Sequence, residues 1–204
     1  AKSRVLPLGI DLAGLDRHRV AREPGATPLI LWNHRWEYDK GPEEFFRALR
    51  LLAGEGLDFR VTLLGESGGE RPAVFEEAQE TLGSRIVHRG FAPDRADYAR
   101  WLWRADILPV TARHEFFGTS VVEGMYCGVC PVLPRRLAYP GHIPEERHGE
   151  FLYDGFDGLV TMLRRRIERI DETRTAGARS FAERYDWATL APAYDAALEA
   201  VAGH

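Results

Sequence analysis

Short apolar runs alternate along this chain with stretches whose apolar residues recur every three or four positions. Leu29-Ile-Leu-Trp32 is apolar throughout and predicts a buried strand. It leads into a helix from Pro42 to about Ala53, where Phe45, Phe46, Leu49 and Leu52 fall on one face and Pro42 suits the first turn. Phe59 to Leu64 predicts the next strand, ending at Gly65-Glu-Ser-Gly-Gly69, and a polar helix from about Pro72 to Leu82 follows. A strand from Arg85 to His88 turns at Arg89-Gly90-Phe91, and Asp94 is placed to cap a helix through Trp103. Ile107 to Val110 is again buried-strand sequence. A loop ending in Gly118-Thr119-Ser120 then precedes a short helix through about Tyr126 and a second buried strand, Cys130 to Leu133. A short strand near Phe151 and three helical stretches close the chain, the last with Trp187, Leu190, Tyr194 and Leu198 on one face.

Strands and helices in strict alternation with short connections imply an α/β fold, a Rossmann-like doubly wound parallel sheet with helices on both faces. At 204 residues the chain suits one well-buried domain. The pattern divides it into a polar, Pro- and Gly-bearing entry linker (1–28), the Rossmann-like domain (29–185) and a closing helical segment (186–204). Ligands on such sheets bind beyond the carboxyl ends of the strands. Attention therefore falls on the loops after Trp32, Leu64, His88 and Val110.

Those loops carry the candidate chemistry. A strand feeding a Gly-Thr-Ser helix start can hold an anion, because free N–H groups and the positive end of the helix dipole converge there. Thr119 or Ser120 would serve as N-cap and Glu123 as its capping-box partner. Glu115 before this helix and Glu123 within it put two carboxylates at one corner. Arg35 and Lys40 could clamp a diphosphate, or be two solvated cations. Gly65, Gly68 and Gly69 permit close backbone approach, but the segment is not Gly-x-Gly-x-x-Gly and no Walker lysine follows, so dinucleotide and P-loop readings lack their signatures.

Composition narrows the partners. A net charge of −4 gives no overall drive toward nucleic acid or anionic membrane, so any such partner needs a local patch. No apolar run approaches the roughly 18 residues of a membrane span, the start does not resemble a signal peptide, and two cysteines make no disulfide scaffold, which leaves the cytoplasm as the default compartment. Cys127-Gly-Val-Cys130 sits at a helix C-terminus, where the dipole disfavours thiolates, and reads as packed thiols. The 7 histidines have no metal-ligand spacing. His34 and His114 lie beside the predicted cleft as structural residues or as contacts to a ligand. Arg164 to Arg169 reads as a solvated basic face, whereas Arg135 and Arg136 end a strand on the ligand side and are better placed to meet a ligand. Trp32 and Trp36 read as packing residues.

In combination, Arg35…Lys40-Gly41, Gly65, the Gly90-Phe91 turn, Asp106-Ile-Leu-Pro-Val110 and Glu115-Phe-Phe-Gly118…Glu123-Gly…Cys127-Gly-Val-Cys-Pro-Val resemble the donor-binding half of the family 4 retaining glycosyltransferases of the GT-B fold. Their hallmark is Glu-x7-Glu with Phe-Gly after the first Glu. The segments 32–46 and 114–128 look like the branch of that family in which GDP-mannose donates to queuosine in tRNA-Asp. The resemblance implies that Arg35 and Lys40 neutralise the donor diphosphate as leaving group and that Glu115 contacts the transferred sugar. Backbone at Phe117, Gly118 and Thr119, with Ser120 and Gly65 beside it, would hold sugar and phosphate oxygens, while Glu123 would grip the ribose. It also implies a metal-independent reaction with no cofactor beyond the nucleotide sugar, and front-face attack in which Glu115 is not a nucleophile. Family enzymes have a preceding Rossmann-like domain, toward which the Trp187 helix would pack, and without which this chain should bind donor and transfer little. A non-catalytic nucleotide- or sugar-binding module, or a family 4 enzyme with another donor and acceptor, are the alternatives.

Overall fold

The computed structural model describes residues 6–66 and 73–202. Its core is a six-stranded, wholly parallel sheet in the order β3-β2-β1-β4-β5-β6. The strands are β1 (Leu29–Trp32), β2 (Arg60–Leu64), β3 (Ile86–Gly90), β4 (Ile107–Pro109), β5 (Cys130–Pro134) and β6 (Leu152–Tyr153). The order reverses between β1 and β4, which pair at Ile30 and Ile107. In doubly wound sheets that reversal opens the ligand crevice, because the loops leaving the two strands diverge to opposite faces.

The helices follow the apolar pattern. On one face α2 (Pro42–Gly54), α3 (Val74–Leu82) and α7 (Gly155–Glu168) cover a cluster that includes Trp32, Phe45, Phe46, Phe59 and Phe75. On the other, α4 (Arg95–Arg104), α5 (Thr119–Tyr126) and α9 (Arg179–Ala182) enclose Leu31, Leu108, Val110, Val121 and Met125. Trp32 and Trp36 are indeed packing residues. Both are buried, and Trp36 stacks on Phe75 with ring centroids 4.5 Å apart. Asp94 caps α4 as expected, its carboxylate accepting the Asp97 N–H at 2.8 Å. Gly68, Gly69 and Pro72 lie outside the described residues.

Several expectations need correction. The entry segment is more than a linker: α1 (Ala13–Asp16) delivers Leu15 to the core beside Leu12 and Ile10. Ile10 forms a parallel bridge with Asp186, whose carboxylate accepts the Leu12 and Ala13 N–H groups. Sequence alone hides this because Ile10, Leu12 and Leu15 are too few to set a period and find partners near the opposite end of the chain. The chain also runs on as strand through Arg89 and Gly90, where a turn was expected. After β6 come α7, α8 (Ile170–Arg174), α9 and α10 (Trp187–Ala202), one helix more than anticipated, with a further single turn α6 (His148–Phe151) before β6. Nor is the basic stretch on α7 simply solvated, since Arg166 is buried and donates to the Glu150 carbonyl while Arg164 pairs with Glu55.

Candidate active site

The loops leaving β1 and β4 meet across the sheet reversal. Lys40, at the end of the first, is buried and directs its ammonium at the second, donating to the His114 carbonyl at 3.0 Å and to Glu115 Oε2 at 3.3 Å; it also lies 3.1 Å from Asp39 Oδ2. Two of the ammonium's three donors are thus hydrogen-bonded, and the Asp39 carboxylate lies against its charge. Glu115 turns its other oxygen toward its own loop and accepts the N–H groups of Phe116 and Phe117 at 3.1 and 3.4 Å. Burial alone would raise its pKa; Lys40 and those N–H groups outweigh it and hold the carboxyl below the usual range.

Gly118 makes the corner sterically possible. Its φ of 88° lies in the left-handed region, and a Cβ there would stand 3.3 Å from the Tyr139 ring. Gly118, not Thr119 or Ser120, occupies the N-cap of α5, and no side chain caps it. The expected capping box is absent because the Glu123 carboxylate is taken by α4. Arg95 Nη1 donates to its Oε1 at 2.7 Å and Tyr98 OH to its Oε2 at 2.8 Å. Ser120 instead fastens the β1 loop, its carbonyl accepting from Asn33 Nδ2 at 2.8 Å and its Oγ lying 3.4 Å from His34 Nδ1. Thr119 is exposed at the helix start.

Gly65, at the end of β2, adopts a φ of +114°, and a Cβ would meet the His34 carbonyl at 2.5 Å, so only glycine lets the β1 and β2 loops touch. Beyond these strand ends lies an open cavity of about 420 Å³ lined by Arg35, Gly65, Phe91, Arg95, Tyr98 and Glu123 among others. Arg35 is exposed at its edge and 3.2 Å from Glu37. The two expected cations are thus held differently: Lys40 is buried between the two loops beside Glu115, while Arg35 is exposed at the cavity edge and pairs with Glu37. His34, buried at the cavity wall, is kept neutral, with burial and then Lys40 pulling its pKa to about 4. His114 is exposed, its ring 6.3 Å from Phe116. Arg135 pairs with Asp154, and Arg136 donates to the Thr111 and Ala112 carbonyls.

Sequence reasoning missed three residues. Arg95 and Tyr98 stand three apart on α4, directly after its cap, so their shared face was available from helical spacing. His142 was not visible at all. Buried, it sits 2.6 Å from the Phe117 carbonyl through Nε2 and 2.9 Å from Tyr185 OH through Nδ1. A carbonyl can only accept, so Nε2 carries the proton and Tyr185 donates. Burial lowers the pKa of His142, consistent with that neutral tautomer. The two thiols are packed as expected: both are buried, and burial pushes Cys127 up to about 12 and Cys130 up to about 11. Among the described residues no group of three or more His, Cys, Asp or Glu side chains could hold a metal, and no helix is long and apolar enough to cross a membrane.

Comparison with known proteins gives the family and the fold. The family model for glycosyl transferases group 1 matches residues 16–169. The chain is 43% identical over 134 residues to a tRNA-queuosine alpha-mannosyltransferase of Drosophila melanogaster, covering 66% of this chain and 34% of that one. It is 29% identical over 203 residues to a GDP-mannose-dependent alpha-(1-6)-phosphatidylinositol dimannoside mannosyltransferase of Mycobacterium tuberculosis, covering 97% of this chain and 52% of that one. In fold it superposes on sucrose-phosphate synthase from Thermosynechococcus elongatus with a TM-score of 0.77 at 20% identity, covering 98% of this chain and 53% of the other. The chain therefore spans between a third and about half of the curated relatives it matches. With its six parallel strands and the match across most of its length, the chain belongs to the group 1 glycosyl transferases and has their GT-B type of fold.

Proposed function

We propose that this chain is the donor-binding part of a retaining mannosyltransferase that uses GDP-mannose and acts on queuosine in tRNA in the cytoplasm. The observation that carries this reading is the pairing, at the sheet reversal, of the Lys40–Glu115 corner with the cavity floored by Glu123. A sugar nucleotide needs a carboxylate for its ribose hydroxyls, positive charge for its diphosphate and polar groups for its sugar, and Glu123, Arg35 with Lys40, and Glu115 with its loop are the groups this reading assigns to them. Glu123 supplies the first. Each of its oxygens accepts one hydrogen bond, and a carboxylate oxygen has room for another, so ribose hydroxyls can bind without expelling Arg95 or Tyr98.

The leaving diphosphate would be stabilised by Arg35, by Lys40 and by the N-terminal N–H groups of α5 at Thr119 and Ser120, with Gly65 letting the backbone approach. These charges do what a divalent ion does in metal-dependent transferases, so the reaction needs none. Glu115 and the backbone from Phe117 to Thr119 would hold the transferred sugar, and the acceptor would attack on the face the diphosphate leaves. Mannose is favoured over other sugars because both relatives above are named for mannosyl transfer. A preceding domain, packed on α10, would complete the acceptor site.

A thermal-shift titration with GDP-mannose, GDP, UDP-glucose and UDP tests this. Ligand at 100 times its dissociation constant adds about 2.7 kcal/mol, a shift of several degrees for a domain of this size. Shifts with the guanosine ligands that Glu123→Ala removes support the reading. A response confined to uridine ligands keeps the transferase and excludes GDP-mannose.

A further inference from the structure

Outside the donor corner, the loops after β1 and β4 raise an uncovered rim. Tyr38 is 68% exposed and Phe116, next to Glu115, 93%. The Arg113 guanidinium lies over the Tyr38 ring, 4.7 Å from its centroid, and the exposed His114 ring adjoins Phe116. One backbone junction makes these side chains a single surface, because the Asp39 carbonyl accepts the N–H groups of both Arg113 and His114, at 2.7 and 3.4 Å. Arg136 is fastened beside them by its bonds to the Thr111 and Ala112 carbonyls.

A single exposed aromatic is ordinary. Two on adjoining loops, interleaved with guanidinium groups at the edge of a transfer site, are not explained by the core, which neither ring joins. The charge is equally local. The chain carries a net −4, yet among the described residues neither Arg113 nor Arg136 forms an ion pair with a carboxylate.

We infer that this rim is a docking platform for single-stranded RNA, with Tyr38 and Phe116 stacking on unpaired bases and Arg113 and Arg136 meeting backbone phosphates. The inference rests on the tRNA-acceptor reading above and gives this chain a direct share in acceptor binding. A nucleoside within a folded RNA can reach a donor held at Glu115 only when it leaves its stack, and its unstacked neighbours then offer flat faces that a duplex conceals. Aromatic side chains with arginine beside them bind such bases with little regard to sequence. Both rings stand on loops locked to the donor corner, so a base stacked on Phe116 brings its neighbour to Glu115.

The test is fluorescence anisotropy with two labelled RNAs of equal composition, a hairpin with an unpaired loop and a blunt duplex, using the whole chain and its Phe116→Ala, Tyr38→Ala and Arg113→Gln variants. These positions are exposed, so the fold should survive, and an unchanged GDP-mannose thermal shift in each variant verifies it. The expected result is preference for the hairpin, weakening of about ten-fold with each aromatic substitution, and a drop of about 0.7 in the salt-dependence slope for Arg113→Gln. Equal binding of hairpin and duplex, or hairpin affinity untouched by Phe116→Ala, overturns the platform and leaves the rim to another occupant such as a preceding domain. Absent hairpin binding with an intact GDP-mannose shift overturns the platform alone. Rim-dependent hairpin binding with no GDP-mannose shift upholds the platform and overturns the donor reading.

Discussion

Glu115 and Glu123 flank the same turn and are held in opposite ways. Glu115 is fixed by its own loop and by one cation from the neighbouring loop: two backbone N–H groups on one oxygen and Lys40 on the other. Glu123 is fixed from outside its segment, by Arg95 and Tyr98 of α4, 28 and 25 residues earlier. The first carboxylate therefore reports whether the β1 and β4 loops are correctly joined, the second whether α4 is docked on α5. A site assembled this way can lose its Glu115 side and keep its Glu123 side, or the reverse.

The largest expected effect comes from His34, which touches both sides through Ser120 and the field of Lys40. Its folded pKa of about 4 lies below the ordinary 6.5, so the unfolded chain takes up the proton first. Stability is then full above pH 6.5 and falls as pH drops toward 4, by about 3 kcal/mol in all. His34→Asn should flatten this limb in urea denaturation between pH 7 and 4. A parent protein that is itself flat over that range would mean that imidazolium is tolerated in the fold.

Lys40→Met should break the Glu115 side alone. It leaves Glu115 and Asp39 without their shared cation and the His114 carbonyl without its donor, a loss of about 2–3 kcal/mol given that both carboxylates keep some water contact. Glu115 has a depressed pKa in the fold, so its contribution is present above the unfolded carboxyl range and lost as pH falls through the folded value. In the variant that acid-side loss should shrink, and an NMR titration should find the Glu115 carboxyl raised. A carboxyl that stays depressed would credit the Phe116 and Phe117 N–H groups instead.

Glu123→Gln should break the other side, at about 1–2 kcal/mol, since the amide oxygen still accepts from Tyr98 but no longer pairs with Arg95. Chemical denaturation measures the loss, and combining it with Lys40→Met tests independence. Near-additive losses sustain the two-sided description, while a coupling above about 0.5 kcal/mol would merge the corners into one network.

How much of this could be read beforehand follows from the range of each interaction. The strands, α2, α4 and α5 were legible because burial imposes a period on the residues themselves. Glu115, Glu123, Gly65 and Gly118 were legible because a strand-end turn demands glycine and the motif is local. The N-cap was misassigned because a hydroxyl caps only if nothing else dictates the turn, and here the left-handed Gly118 does. Lys40 could be found, but not that it is buried against Asp39, His114 and Glu115, which depends on the two loops converging. His142 was beyond reach, because its partners Phe117 and Tyr185 lie 25 and 43 residues away and no pattern links them.

The smallest effect on stability should accompany Arg95→Ala, and it sharpens the comparison most. Arg95 is half exposed, so its ion pair with Glu123 should contribute under about 1 kcal/mol, although the pairing raises the arginine's own pKa against the opposing pull of burial. Glu123 would keep the Tyr98 hydroxyl, whose pKa is raised well above normal first by burial and then by that carboxylate. If Glu123 is what recognises ribose, Arg95→Ala should preserve the preference for GDP over its 2′,3′-dideoxy analogue within about three-fold, whereas Glu123→Ala should erase it. Calorimetric titration of both nucleotides into both variants gives the answer. Erasure by Arg95→Ala as well would place the sugar contact on the guanidinium, making α4 the recognition element and Glu123 the residue that aims it.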